Sequence, residues 1–162
     1  MKLSELLGED DFLLGVPSRE KRSTLEAVAF MLGRRTGRSN GEVLNALLRR
    51  ERLGSTATGD GLAMPHAALA GISAPAAVIA TMKHPVAFAA PDDGDVDLLL
   101  GFLWPRDVGG FLFTLSQASR LLRQPGYREC LRQAASPAEA LAGIEALERG
   151  AAQAQAIWPP PA

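Results

Sequence analysis

The stretch Gly54–Leu69, "GSTATGDGLAMPHAAL", decides how the rest of the chain is read. Three glycines and three hydroxyl side chains precede a single Pro-His pair. The whole chain has only two histidines, so one of them at the end of such a polar, permissive run asks for a reason. Upstream, "SNGEVLNALLRRERLG" reads as a helix that ends near Arg52 and Gly54. Ser39 and Glu42 have capping-box spacing there, and Val43, Leu44, Leu47 and Leu48 form its buried stripe. Within the stretch, "GLAMP" reads as a short strand with His66 at its end, at a sheet edge.

Further out the pattern alternates between helix and strand. "SREKRSTLEAVAFMLGRRTG" carries Leu25, Val28, Ala29 and Leu32 on one helical face, with Gly37 as its stop. "PAAVIATMKHP" reads as a longer strand, and "PDDGD" as a turn. "VDLLLGFLWP" is a continuous apolar run, the mark of a central strand covered on both faces. "GGFLFTLSQASRLLRQPG" has Leu112, Leu115, Ala118, Leu121 and Leu122 at helical spacing, and "GYRECLRQA" reads as a short helix. In "SPAEALAGIEALERG", Ser136 is the cap, Pro137 the first helical residue and Glu139 the partner of the capping box. The predicted order is helix, helix, strand, strand, strand, helix, helix, with no internal repeat. The fold class is α/β: a mixed, partly parallel sheet sandwiched between helices. Residues 1–150 are expected to form one domain and 151–162, "AAQAQAIWPPPA", a flexible Pro-rich tail.

Composition narrows the function. A chain of 162 residues with 47% hydrophobic residues suits one domain with a sizeable core. A net charge of −1 argues against a nucleic-acid binder. The lone Cys130 has no internal disulfide partner, which points to a reducing cytoplasm. Glu5, Glu9, Asp10 and Asp11 interrupt the N-terminus, so a signal peptide is not expected. No run reaches the roughly 18 apolar residues of a membrane span, so no membrane insertion is expected.

His66 is the residue with chemistry to offer. Neutral imidazole is a nucleophile at physiological pH, and Pro65 restricts the backbone beside it. Gly59 and Gly61 allow a loop to close around an anion, and Ser55, Thr56 and Thr58 add hydroxyl donors. Arg50, late in the preceding helix, supplies a fork for phosphate. The set suits an imidazole that carries a phosphoryl group; the bland alternative is a polar loop histidine. No nucleotide-binding glycine fingerprint is present. Two histidines and one cysteine match no zinc pattern, and "PDDGD" lacks a calcium-loop ligand series, so neither a metal nor another cofactor is expected. Ser55 lacks the nucleophile elbow of a serine hydrolase. His84 reads as a solvated strand-end residue. Arg34, Arg35 and Arg38 read as a solvated helix end, with an acidic partner as the functional alternative.

"RRERLGSTATGDGLAMPHAAL" closely resembles the phosphorylation-site segment of the mannitol/fructose-type enzyme IIA domains of the bacterial phosphotransferase system, and the nitrogen-regulatory branch best. The matching features are Arg50-Glu51, Gly54-Ser55-Thr56, Gly59, Gly61, Leu62-Ala63-Met64 and Pro65-His66. "KHPVAFAAPDDGDVDLLLGFLWP" and the "SPAEAL" helix extend the likeness over residues 1–148. The resemblance implies that His66 accepts a phosphoryl group from a histidine-containing phosphocarrier protein, that Arg50 stabilises it, and that regulatory target proteins read the result. It implies a phosphocarrier rather than a classical enzyme. Where the family has a second histidine, this chain has Phe111; a further departure is Ala67 after the histidine. Cys130 falls in a helix of the IIA region, so a free-standing regulator is expected rather than a IIA–IIB fusion. Two alternatives stay open: a sugar-transport enzyme IIA, or a protein-binding module that has lost phosphotransfer with its second imidazole.

Overall fold

The computed structural model describes residues 2–157. Its centre is β6 (Val96–Pro105), the apolar run read as a buried strand, and all of its residues but Asp97 are buried. β5 (Ala76–Val86) pairs antiparallel with one side of β6, from Ala76 opposite Leu103 to Val86 opposite Val96. β1 (Phe12–Val16) adds a parallel strand outside β5. On the other side of β6 lie two short parallel pieces, β3 (Leu62–Ala63) and β4 (His66–Leu69), and β2 (Ala57–Gly59) folds back antiparallel onto β3. The sheet is mixed and six-stranded, as the fold class requires.

Helices cover both faces because the central strands alternate apolar side chains to each. Val78, Ala80, Met82, Leu99 and Leu103 pack with α1 (Lys21–Thr36) and α2 (Asn40–Arg52). Ala77, Ile79, Leu98, Leu100, Phe102 and Trp104 pack with α3 (Phe111–Leu122), α4 (Pro125–Gln133) and α5 (Pro137–Ile157). The N-terminus joins this second layer through two single turns of 3-10 helix, Leu3–Glu5 and Glu9–Asp11. Glu148 of α5, almost fully buried, accepts the Leu3 N–H at 2.5 Å and the Ser4 N–H at 3.2 Å, tying the chain's two ends together.

The capping signals act as read. The Ser39 hydroxyl accepts the Glu42 N–H at 3.3 Å. Ser136 accepts the Glu139 N–H at 3.2 Å, while the Glu139 carboxylate accepts from Ala135 at 3.0 Å.

Several expectations need correction. The strands are six, not three. β1 sits before both N-terminal helices, and a five-residue segment at a sheet edge carries too little periodicity to declare itself. The "GLAMP" strand is interrupted at Met64–Pro65, where proline has no N–H for the ladder, so His66 opens β4 instead of ending β3. Leu112 is not on the buried face of α3; it is 76% exposed, and Thr114, Ala118 and Leu122 take the core positions. Arg35 and Arg38 are not free at a solvated helix end: Arg35 pairs with Asp11 at 3.2 Å, and Arg38 with Glu42 at 2.8 Å and the Ala70 carbonyl at 2.9 Å. α5 continues past Gly150 to Ile157, where a loose tail was expected from residue 151. The alanines and glutamines of that segment are good helix formers. Its Pro-rich end, Trp158–Ala162, lies outside the described residues.

Candidate functional site

His66 occupies the first position of an edge strand, opposite Phe102 of β6. In β4, Ala67 and Leu69 turn into the α1–α2 layer, so the His66 side chain projects on the α3 side. Its Nδ1 lies 2.7 Å from the Met64 carbonyl oxygen, which can only accept, so Nδ1 carries the proton. Nε2 is then the lone-pair nitrogen, and it accepts the Nε–H of Arg50 at 2.9 Å. Arg50 reaches the ring from the last turn of α2, and its Nη1 donates to the Gly54 carbonyl at 3.0 Å. The guanidinium is therefore fixed between loop and ring.

Burial is the main influence on the ring and pushes its pKa below the ordinary 6.5; the bond to Met64 opposes this, the Arg50 charge adds to it, and the Glu51 carboxylate opposes it. His66 is thus held neutral near pH 7, with its nucleophilic nitrogen defined.

Phe111, the first residue of α3, packs on the ring edge-on, with centroids 5.7 Å apart. It stacks in turn on Phe102 and Trp104 at 6.0 and 6.1 Å. The position identified by sequence as a missing second imidazole does adjoin His66, and it brings an apolar wall there.

Two shallow clefts meet at His66. One, about 290 Å³, is lined by Ser55, Thr56, Thr58, Met64, Leu115, Ser116 and Ser119 besides Arg50 and His66. The other, about 440 Å³, includes Arg49, Arg50, Arg106, Leu53, Phe111 and Leu112, and no carboxylate is among its lining residues. Leu53 and Leu112 in that lining are 85% and 76% exposed. An apolar rim around an arginine-lined floor suits an anionic group delivered by another protein.

The loop residues divide. Ser55, Thr56 and Thr58 line the first cleft, but each hydroxyl is already engaged. Ser55 donates to the Phe88 carbonyl, Thr56 to Glu51 at 2.6 Å, and Thr58 to the Leu62 carbonyl at 3.4 Å. Gly59 and Gly61 line neither cleft. With φ of 93° and 75° they flank Asp60 in the tight turn between β2 and β3, a backbone shape that glycine adopts without steric cost. Asp92 accepts the Asp60 N–H at 2.9 Å, and Arg132 donates to the Asp60 carbonyl at 2.7 Å, pinning that turn. These glycines form the β2–β3 turn, away from both clefts.

His84 also lines neither cleft; its ring is within 3.1 Å of Arg19 Nη2 near the end of β5. Cys130 is partly buried in α4, where burial pushes its thiol pKa up. Among the described residues, no cluster of three His, Cys, Asp or Glu side chains is placed to hold a metal, and no helix is long and apolar enough to cross a membrane.

Sequence reading missed Ser116 and Ser119, which face the cleft three residues apart on a helix. It also passed over Lys21 and the side chain of Glu51. A buried carboxylate at a helix end leaves no local signal, because its partners come from other elements.

A mixed sheet thus lies between two helical layers, with an edge-strand histidine beneath an arginine from the preceding helix. The chain belongs to the family described as "Phosphoenolpyruvate-dependent sugar phosphotransferase system, EIIA 2", which matches residues 5–146. It is similar to the "Nitrogen regulatory protein" of Pseudomonas aeruginosa, with 34% identity over 143 residues, covering 87% of this chain and 92% of that one. Among solved structures it resembles nitrogen regulatory protein IIA-Ntr from Neisseria meningitidis, with TM-score 0.82 and 31% identity over 88% of this chain and 98% of that one. Mannitol IIA from Escherichia coli shares the fold at TM-score 0.72 and 20% identity, covering 85% and 98% of the two chains.

Proposed function

We propose that this protein is a cytoplasmic regulatory phosphocarrier of the nitrogen-type phosphotransferase system. His66 takes a phosphoryl group from the phosphohistidine of a small carrier protein, and the two states of the protein bind regulatory targets differently. The observation that carries this reading is the 2.9 Å bond from Arg50 Nε to His66 Nε2, with Nδ1 tied to Met64. In the transfer, the Nε2 lone pair forms the new N–P bond as the donor ring's N–P bond breaks, and the donor imidazole keeps that electron pair. The Arg50 N–H then turns from the ring nitrogen to a phosphoryl oxygen, so the group that holds the nucleophile at rest stabilises the charge in flight. The Met64 carbonyl keeps the Nδ1 proton in place throughout. Likeness to named nitrogen regulatory proteins supports the regulatory role over sugar transport.

The test is incubation with a phosphorylated carrier protein. The expected result is an acid-labile label on the parent and on His84→Ala, and none on His66→Ala. Equal labelling of His66→Ala refutes the site. A parent that takes no label but still captures partner proteins is the binding module instead.

A further inference from the structure

Behind the Arg50–His66 pair lies a buried ionic network that the phosphoryl chemistry described above does not use. The Glu51 side chain is only 6% exposed and meets Lys21 Nζ at 2.5 Å. Its carboxylate accepts the Thr56 N–H at 3.1–3.2 Å and the Thr56 hydroxyl at 2.6 Å. Lys21 also donates to the Phe88 carbonyl at 3.2 Å and stands 5.1 Å over the Phe88 ring. The Ser55 hydroxyl donates to that same carbonyl. The Glu51 carboxylate, at the end of α2, thereby fastens Thr56 directly, and the Lys21 ammonium, at the start of α1, shares with Ser55 the Phe88 carbonyl that holds it. Gly54 in turn offers the carbonyl that holds Arg50 Nη1.

From this chain of contacts we infer that Glu51, clamped by Lys21, is a positioning residue: it fastens the Gly54–Thr56 loop so that the Gly54 carbonyl aims the Arg50 guanidinium at His66 Nε2. A charge buried this deeply is costly unless every lone pair is used, and here Lys21 and the two Thr56 donors use them. The loop's hydroxyls are committed to the protein, and among the described residues Arg50 is the one side chain bonded to His66 Nε2. Its aim then decides how well a phosphoryl group at Nε2 is met. The inference rests on the reading of His66 as phosphoryl acceptor.

Glu51→Gln in the full chain is the test. The amide keeps the shape but loses the charge and presents a donor toward Lys21. Single-turnover transfer from the phosphorylated carrier is measured over a range of carrier concentrations, alongside labelling by phosphoramidate, a small donor that needs no docking. The expected result is a maximal rate lowered about tenfold or more, as misplacement of a catalytic group produces, with half-saturation unchanged. The exposed apolar residues of the cleft, Leu53 and Leu112, are not part of the network. Labelling by phosphoramidate should slow in parallel, and the ¹⁵N resonance of His66 Nε2 should move as its bond to Arg50 loosens. An unchanged maximal rate, or an unmoved His66 resonance in folded protein, overturns the inference. Weakened half-saturation with an unaltered maximal rate also overturns it, because Glu51 would then serve docking. Should Glu51→Gln not fold, Thr56→Val removes one bond to the carboxylate without leaving a charge unpaired, and the same changes are expected in smaller measure. A parent labelled by phosphoramidate but not by the carrier refutes the proposed function alone, and the comparison with Glu51→Gln then proceeds on phosphoramidate. A parent labelled by neither leaves the His66 resonance to decide whether Glu51 aims Arg50.

Discussion

Arg50 Nε donates to His66 Nε2 at 2.9 Å, and that bond links the last turn of one helix to the first residue of an edge strand. It also defines the ring. With Nδ1 donating to Met64, only Nε2 is left to accept, so the tautomer and the nucleophilic atom follow from two contacts.

Arg50→Lys is the sharpest test of that contact. An ammonium cannot keep one N–H on the ring and another on the Gly54 carbonyl with the planar geometry of a guanidinium. Transfer to His66 should slow about tenfold or more, equivalent to roughly 1.4 kcal/mol of barrier. Stopped transfer time courses measure it. Parent-like kinetics in a folded variant remove Arg50 from the chemistry.

Phe111→His introduces a hydrogen-bond donor about where the Phe111 ring now lies, 5.7 Å from the His66 ring centroid. A charge-assisted bond to the phosphoryl group adds about 1.5 kcal/mol, so transfer should speed up by roughly tenfold. The substitution also breaks the stack with Phe102 and Trp104, so a modest fall in Tm accompanies it. If transfer is no faster in folded protein, the lack of an imidazole at this position does not limit the reaction.

The pKa of His66 is lowered in the folded protein, mainly by burial. Between the folded and unfolded values the unfolded chain binds more protons, so stability rises with pH through that window. Stability from this group is fully present above 6.5 and is lost as pH falls through the lower folded value. NMR titration of the His66 ring should give a midpoint below 6.5, and His66→Gln should lose less stability than the parent on acidification. A midpoint at or above the ordinary value contradicts the burial argument.

Gly101→Ala tests the packing of α1 on β6. A Cβ at that position falls 2.3 Å from Val28 Cγ1, well inside contact distance. Valine is stiff at χ1 in a helix and does not turn aside freely. The expected loss is about 1–3 kcal/mol, read from urea unfolding. An unchanged midpoint means that α1 shifts on the sheet at little cost.

Much of the architecture was legible in the chain. The "VDLLLGFLWP" run is β6 from end to end, and Ser39 and Ser136 cap the helices they precede. Such signals survive because they depend on residues a few positions apart: a cap and its N–H, or a strand's continuous apolar surface. Arg50 and His66 were legible for a related reason, as a helix end and a Pro-His pair on either side of a glycine-punctuated turn. β1, β2 and β4 were not, being short segments whose strand character comes from a partner elsewhere in the sheet.

The three loop hydroxyls mark the boundary most clearly. Their residue types announced possible donors to an anion, and nothing local distinguished a free hydroxyl from a committed one. Ser55 is spent on Phe88, Thr56 on Glu51 and Thr58 on Leu62. The sequence alone pointed to His66 and Arg50 as the proposed phosphoryl site and determined the two N-terminal helices, the two long strands and the helices that follow them. Tertiary structure decided which loop hydroxyls are already bonded, that Phe111 walls one side of His66, and that Lys21 and Glu51 pair behind the loop. A hydrogen bond is satisfied by whichever group the fold brings within about 3 Å, and for these residues that group lies on another element or across a turn.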